Sequence, residues 1–192
     1  MKYENIIKNT FDETIVALKH SSTKLPDDIS KVAEGIVSAL KAGRKLMLCG
    51  CGGSAADAQH MAAELVGRFE KDREPCSAVA LSTDTSILTS ISNDYSFDKV
   101  YEKQVKALGK QGDILFAIST SGNSEVILNA ALAASSKGIR VFSLLGRDGG
   151  KIKDISDLSI IVPFDITARV QEIHSVIIHI ICKIVENELF GK

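Results

Sequence analysis

Neither sign of charge dominates this sequence. Its 23 lysines and arginines stand against 24 aspartates and glutamates, for a net charge of −1. A chain whose main work is gripping nucleic acid shows a basic excess or a basic stripe, and neither is present. Cysteine is sparse: Cys49, Cys51, Cys76 and Cys182 form no C-x-x-C pair, which argues against a zinc site of that type and for reduced thiols. No apolar run approaches bilayer length. The most apolar, Val176 to Ile181 with Cys182, is interrupted by His179 and followed by Lys183. The opening residues, MKYENIIKNTFDE, lack the apolar stretch of a signal peptide, so the expectation is a cytoplasmic protein with no membrane and no nucleic acid among its partners. Linkers, repeats and low-complexity segments are also missing.

What remains is ordinary globular composition, 45% apolar and 24% charged over 192 residues. That is long enough to bury a core without disulfides or a metal staple. The simplest organisation is one domain over 1–192, with a helix pair in 1–42 preceding an α/β core in 43–192. Ile6, Ile7, Phe11, Ile15 and Leu18 recur at steps of three and four, which predicts an amphipathic helix. Pro26-Asp27-Asp28 punctuates the stretch, Ile29 to Leu40 continues a second helix, and Gly43 ends it. From there the pattern changes to five short apolar runs, 46–49, 78–81, 114–118, 141–145 and 158–162, each followed by turn residues. They do not alternate, as expected of strands buried on both faces. Helix-compatible segments at 54–66, 85–92, 97–108, 123–137 and 167–189 lie between and after them. Strand and helix in alternation predict an α/β fold with a parallel sheet covered on both sides.

Ligands of such sheets bind beyond the carboxyl ends of the strands. Two loops there invite an anion. Gly50-Cys51-Gly52-Gly53-Ser54 leads into a helix whose free N–H groups and positive dipole end suit phosphate. Ser119-Thr120-Ser121-Gly122-Asn123-Ser124 places four hydroxyls within six residues, where a helix cap needs only one. The loose G-x-G-x-x-A match at Gly50, Gly52 and Ala55 does not make a dinucleotide site, because the next acidic residue after the second strand, Asp84, lies more than thirty residues on. No G-K-[ST] occurs, which excludes a Walker loop.

Chemistry needs titratable groups, and two helices offer them. His60 and Glu64 sit one turn apart on the helix that starts at Ser54, and Gln171, Ser175 and His179 advance by fours along the last helix. Two imidazoles, a carboxylate and an amide suit a divalent metal, zinc first; alternatively Glu64 and His179 form a base and acid pair. The same spacings also describe a surface ion pair and a core histidine, and Val-Ile-Ile-His-Ile-Ile around His179 suggests a buried ring. His20 and His174 belong to no constellation.

Taken together, the G-x-G-G-S helix start, His60-Met61-Ala62-Ala63-Glu64, Asn93-Asp94, the Ser119–Ser124 run and Gln171-Glu172-Ile173-His174 followed by His179 resemble the phosphoheptose isomerases, enzymes of the SIS (sugar isomerase) fold, along essentially the whole chain. The resemblance implies a five-stranded flavodoxin-like sheet and a homotetramer with active sites shared between subunits. It also implies conversion of D-sedoheptulose 7-phosphate to D-glycero-D-manno-heptose 7-phosphate, the first step of ADP- or GDP-heptose biosynthesis for lipopolysaccharide or capsule. Ser119, Thr120, Ser121 and Ser124 would hold the phosphate. Cys51, Gly52, Gly53, Ser54, Glu64, Asn93, Asp94 and Gln171 would line the sugar. His60, Glu64, Gln171 and His179 would bind one zinc ion, and Glu64 and His179 would move protons. Family members usually carry asparagine where this chain has Cys51, which replaces an amide by a weakly bonding thiol. Two other readings fit the same motifs: an isomerase of pentose or hexose phosphates, and a non-catalytic phosphosugar-binding regulator of a replication initiator.

Overall fold

A computed structural model describes residues 1–191. Five parallel strands form the centre: β1 (Leu46–Cys49), β2 (Ala78–Ala80), β3 (Ile114–Ser119), β4 (Arg140–Gly146) and β5 (Leu158–Val162). Their order is β2-β1-β3-β4-β5, the flavodoxin-like arrangement. Registers are regular: Leu46 pairs with both Ala78 and Ile114, and Ile114 with Arg140.

The pleat sorts the apolar runs into two cores. Leu46, Leu48, Phe116, Ile118, Phe142 and Leu144 face one side, where they meet α2 (Pro26–Lys41), α3 (Gly53–Val66) and α8 (Thr167–Phe190). Met47, Cys49, Leu115, Ala117, Val141 and Leu145 face the other, against α5 (Val100–Leu108) and α6 (Glu125–Ser136). Side chains alternate faces along a strand, so runs that are apolar throughout are what two covered faces require. Three further helices complete the chain: α1 (Glu4–Lys24), α4 (Thr85–Asp94) and the single turn α7 (Gly150–Lys153), with a 3₁₀ turn at Phe97–Lys99 before α5. The expected strands and helices all form, with ends shifted by one or two residues; α7 is an addition that the Gly-rich stretch after β4 concealed.

One departure concerns the first helix. Its predicted apolar face (Ile6, Ile7, Phe11, Ile15 and Leu18) is exposed, and α1 meets the rest through small and polar groups instead. Ala17 and Ser21 are buried, Thr14 donates to Glu172 Oε2 at 2.8 Å, and Arg169 pairs with Glu13 at 3.0 Å. The last helix divides likewise: Ile177 and Ile181 are in the core, while Val176 and Ile180 face outward. No helix among the described residues is long and apolar enough to cross a membrane.

Candidate active site

The strand order reverses direction between β1 and β3, and the two loops singled out above leave the sheet there, side by side. Cys51, Ser54, Ser119, Thr120, Ser121 and Ser124 line a small cavity of about 180 Å³. Gly52 enters α3 at φ +58°, a conformation that a side chain rarely adopts. Gly122 at φ +64° lies so near Gly149 O that a Cβ would stand 2.0 Å from it. Tyr101, buried, donates its hydroxyl to Gly50 O at 2.7 Å and holds the first loop from below.

Neither helix start at this cavity has a side-chain cap, although Ser54, Ser121 and Asn123 all qualify for one. Ser54 is buried in the cavity wall, and Ser124, the N-cap residue of α6, has its hydroxyl 3.9 Å from Cys51 Sγ. Ser119 and Ser121 accept from the N–H groups of Gly122 and Asn123 at 3.2 Å each, which leaves their own protons to donate. Two helix N-termini and five hydroxyls therefore converge on one concavity without a basic side chain in its lining, an arrangement that favours a compact anion. Burial pushes the Cys51 thiol up, opposed by Ser124, so it presents a neutral S–H.

From this cavity α3 runs parallel to α8 in fixed register. Gln171 packs on Gly53, where a Cβ would stand 2.3 Å from its Nε2; Ser175 donates to Asp57 Oδ1 at 3.3 Å; and His179 Nε2 lies 3.3 Å from His60 Nε2. Glu64 Oε1 is 3.2 Å from the same His60 nitrogen. The two imidazoles meet edge to face with centroids 4.9 Å apart. His179 is exposed, contrary to what its apolar neighbours suggest, because Ile177, Ile178 and Ile181 turn to the core and leave the ring on the α3 side.

The structure thus brings His60, Glu64 and His179 together, with their ligand atoms within 4.8 Å of one another. It sets Gln171 about 12 Å of helix rise away from His179, beside the glycine loop. Asn93 donates to Asp94 Oδ1 at 2.9 Å at the exposed end of α4, and neither residue lines the hydroxyl cavity.

Whether the three clustered groups suit a metal can be tested on their geometry. Tetrahedral zinc with bonds near 2.0–2.1 Å separates its ligand atoms by about 3.3 Å, the separation found at His60. His60 Nε2 carries one proton or one lone pair, yet it faces two partners. A proton there is shared between two acceptors, and without it the nitrogen faces a carboxylate lone pair; a cation among three lone pairs satisfies all of them. The donor set fits a divalent ion. Cys182, close by on α8, adds no thiolate, since burial and then Glu64 push its thiol up to about 12.

Asp57 was not singled out by sequence, though it precedes His60 by one helical turn. Its carboxylate is buried, its Oδ2 has no partner, and burial pushes its pKa up against the pull of Ser175 and His60. Arg73, Phe69 and Glu186, which also surround the cluster, carry no motif that spacing alone would reveal.

Comparison with known proteins identifies the family. The SIS domain family matches residues 10–146. The phosphoheptose isomerase of Shewanella piezotolerans is 48% identical over 187 residues, covering 96% of this chain and 95% of that one. Two solved phosphoheptose isomerases superpose closely. That of Neisseria gonorrhoeae has a TM-score of 0.91 at 43% identity, covering 96% of this chain and 98% of its own. That of Francisella tularensis has 0.94 at 37%, covering 97% and 100%. With the family model, the sequence identity and the superposed fold in agreement, the last two over nearly the full length, the chain belongs to the phosphoheptose isomerase family of SIS-domain proteins.

Proposed function

We propose that this protein interconverts D-sedoheptulose 7-phosphate and D-glycero-D-manno-heptose 7-phosphate, supplying heptose for a lipopolysaccharide core or capsule in the cytoplasm. The observation that carries the reading is that α3 joins both halves of the site. Its N-terminus opens at the hydroxyl cavity, and His60 and Glu64 follow about 9 and 15 Å of helix rise later, beside His179. An extended sugar phosphate held by its tail at Ser119, Thr120, Ser121 and Ser124 spans such an interval. Cys51, Gly52, Gly53, Ser54 and Gln171 line its path, and Asn93 and Asp94 contribute from an exposed helix end.

Moving a proton between C1 and C2 through an enediol needs a base at the carbon and an acid at the carbonyl oxygen. Glu64 takes the proton through Oε2, since Oε1 is engaged by His60. His179 donates to the carbonyl oxygen through Nδ1, the nitrogen turned away from the cluster, and takes the proton of the C1 hydroxyl as Glu64 returns its own to C2. His60, Glu64 and His179 would hold a zinc ion, which when bound would polarise the substrate oxygens, while Gln171, about 12 Å of helix rise from His179, faces the sugar chain instead. The distant phosphate grip positions the carbon chain over the two proton carriers.

The exposed apolar face of α1, with Val176 and Ile180, supports a homotetramer whose subunits share their sites, residues 1–42 acting as the packing element. An apolar groove of about 310 Å³, lined by Leu18, Ile29, Val176 and Ile180 among others, runs between α1, α2 and α8. The test is an isomerase assay with sedoheptulose 7-phosphate. Wild-type protein turns it over, chelation abolishes turnover and added zinc restores it. Glu64→Gln and His179→Gln each lower kcat by roughly 10²–10⁴-fold with the fold intact. A wild-type chain that binds the phosphosugar without converting it would instead support the regulator reading.

A further inference from the structure

His179 is an exposed side chain whose one hydrogen-bond contact is His60, so something else must limit its rotation. The structure supplies an aromatic wall. The Phe69 ring lies against the His179 ring, centroids 5.7 Å apart and planes tilted by 40°. His179 therefore sits between Phe69 on one side and the edge of His60 on the other.

Phe69 belongs to residues 67–77, a connection between α3 and β2 with no regular structure of its own. One carboxylate organises this segment. Glu186, 2% exposed, accepts from the backbone N–H groups of Phe69 at 3.3 Å, Glu70 at 3.0 Å and Lys71 at 3.1 Å, and from Arg73 Nε at 3.3 Å. Arg73 in turn spends its other nitrogens on the end of α3. Its Nη1 donates to Leu65 O at 2.7 Å, Gly67 O at 3.0 Å and Glu74 O at 3.1 Å, and its Nη2 donates to Glu64 O at 2.7 Å. A buried carboxylate with four donors, one of them a guanidinium that also reaches four carbonyls, makes the assembly stiff. Although burial alone would push the Glu186 carboxyl up, the three N–H groups and Arg73 hold it below the ordinary carboxylate range.

The two ends of this clamp are the two proposed proton carriers. Arg73 grips the backbone of Glu64; Phe69 braces the ring of His179; Glu186 ties both to α8, two turns beyond His179. We propose that Phe69 and Glu186 are positioning residues of the isomerase, which set the placement of His179 relative to Glu64. The proposal rests on the functional reading above, and its test separates the two.

Full-length protein carries three single substitutions. Phe69→Leu removes the wall and leaves the clamp intact, Phe69→Tyr keeps the wall, and Glu186→Gln weakens the clamp. Turnover of sedoheptulose 7-phosphate is measured alongside the nuclear Overhauser effect between the His60 and His179 rings. The effect between His20 and Phe164, an edge-on pair 5.5 Å apart away from this site, serves as control. In Phe69→Leu and Glu186→Gln, kcat falls roughly tenfold to a hundredfold, as sub-ångström to ångström misplacement produces. KM stays within about twofold because the phosphate cavity is separate. The His60–His179 effect weakens by half or more while the control holds, and Phe69→Tyr recovers both readings. An unmoved His60–His179 effect in Phe69→Leu overturns the proposal whatever kcat does. So does a kcat within about twofold of wild type, or a loss of both ring contacts, which marks general loosening. Should Glu186→Gln fail to fold, Phe69→Leu alone decides. Should wild-type protein lack isomerase activity, that failure is visible before any substitution, and the ring contacts decide the positioning claim by themselves.

Discussion

Cys51 and Ser121 line one cavity yet predict opposite results. Ser121 has its oxygen occupied by Asn123 N–H, so its proton is free for an anionic oxygen. A hydrogen bond to a charged group contributes about 1.5–3 kcal/mol, so Ser121→Ala should raise KM for the sugar phosphate roughly tenfold or more and change kcat far less. Cys51 offers a weak S–H donor kept neutral by burial, 3.9 Å from Ser124. Cys51→Ala should leave KM within about threefold, and steady-state kinetics on the pair measure both. A large KM increase for Cys51→Ala would show that the thiol contacts substrate directly. Asp57 illustrates a different limit. Its type and spacing are unremarkable, and only its burial beside His60, with one oxygen unpartnered, marks it.

The contact between α8 and the sheet contains a pH-dependent term. His174 is fully buried and shares a hydrogen bond with Leu145 O at 3.1 Å, at the end of β4. Burial holds its pKa down to about 4, against the pull of that carbonyl. In the unfolded chain it titrates near 6.5, so between pH 6.5 and 4 the unfolded state binds a proton that the folded state refuses. Stability is therefore complete above pH 6.5 and falls as pH drops, by up to about 3 kcal/mol from this residue. Urea midpoints at fixed protein concentration should decline over that window. His174→Leu should unfold more easily at pH 7.5 but show a flatter decline, and an unchanged slope would remove His174 as the cause. The same helix shows how spacing becomes contact: 171, 175 and 179 meet 53, 57 and 60 because α3 and α8 run parallel, with an offset that changes by only one residue.

Across the whole molecule, the sheet brings the two loops together and leaves an apolar helix face uncovered. Phe11 is 67% exposed and Ile6 66%, more apolar area than an isolated surface helix needs. Replacing Phe11 by glutamate adds a charge to that face without touching either core. It should lower the molar mass found by light scattering from that of an assembly toward one chain, while the far-ultraviolet circular dichroism persists. If neighbouring chains complete the site, isomerase activity falls with the assembly. A Phe11→Glu protein with wild-type mass would place the interface elsewhere.

Much of this was legible beforehand, for local reasons. Apolar runs without alternation require two covered faces, so 46–49, 114–118 and 141–145 announced a parallel sheet. A serine-rich turn after one such run announced a hydroxyl-lined cavity, and four-residue spacing placed His60 with Glu64. Three things were not legible, because each depends on partners far along the chain. His179 looks buried among isoleucines, and only the rotation of α8 against the core exposes its ring. Gln171 shares a helix face with His179, yet packing on Gly53 sets it at the other end of α3. Glu186 and Arg73 have no local signature at all, since their meaning lies in bonds across more than a hundred residues. Periodicity reports which face of a helix is apolar; only packing assigns that face a neighbour.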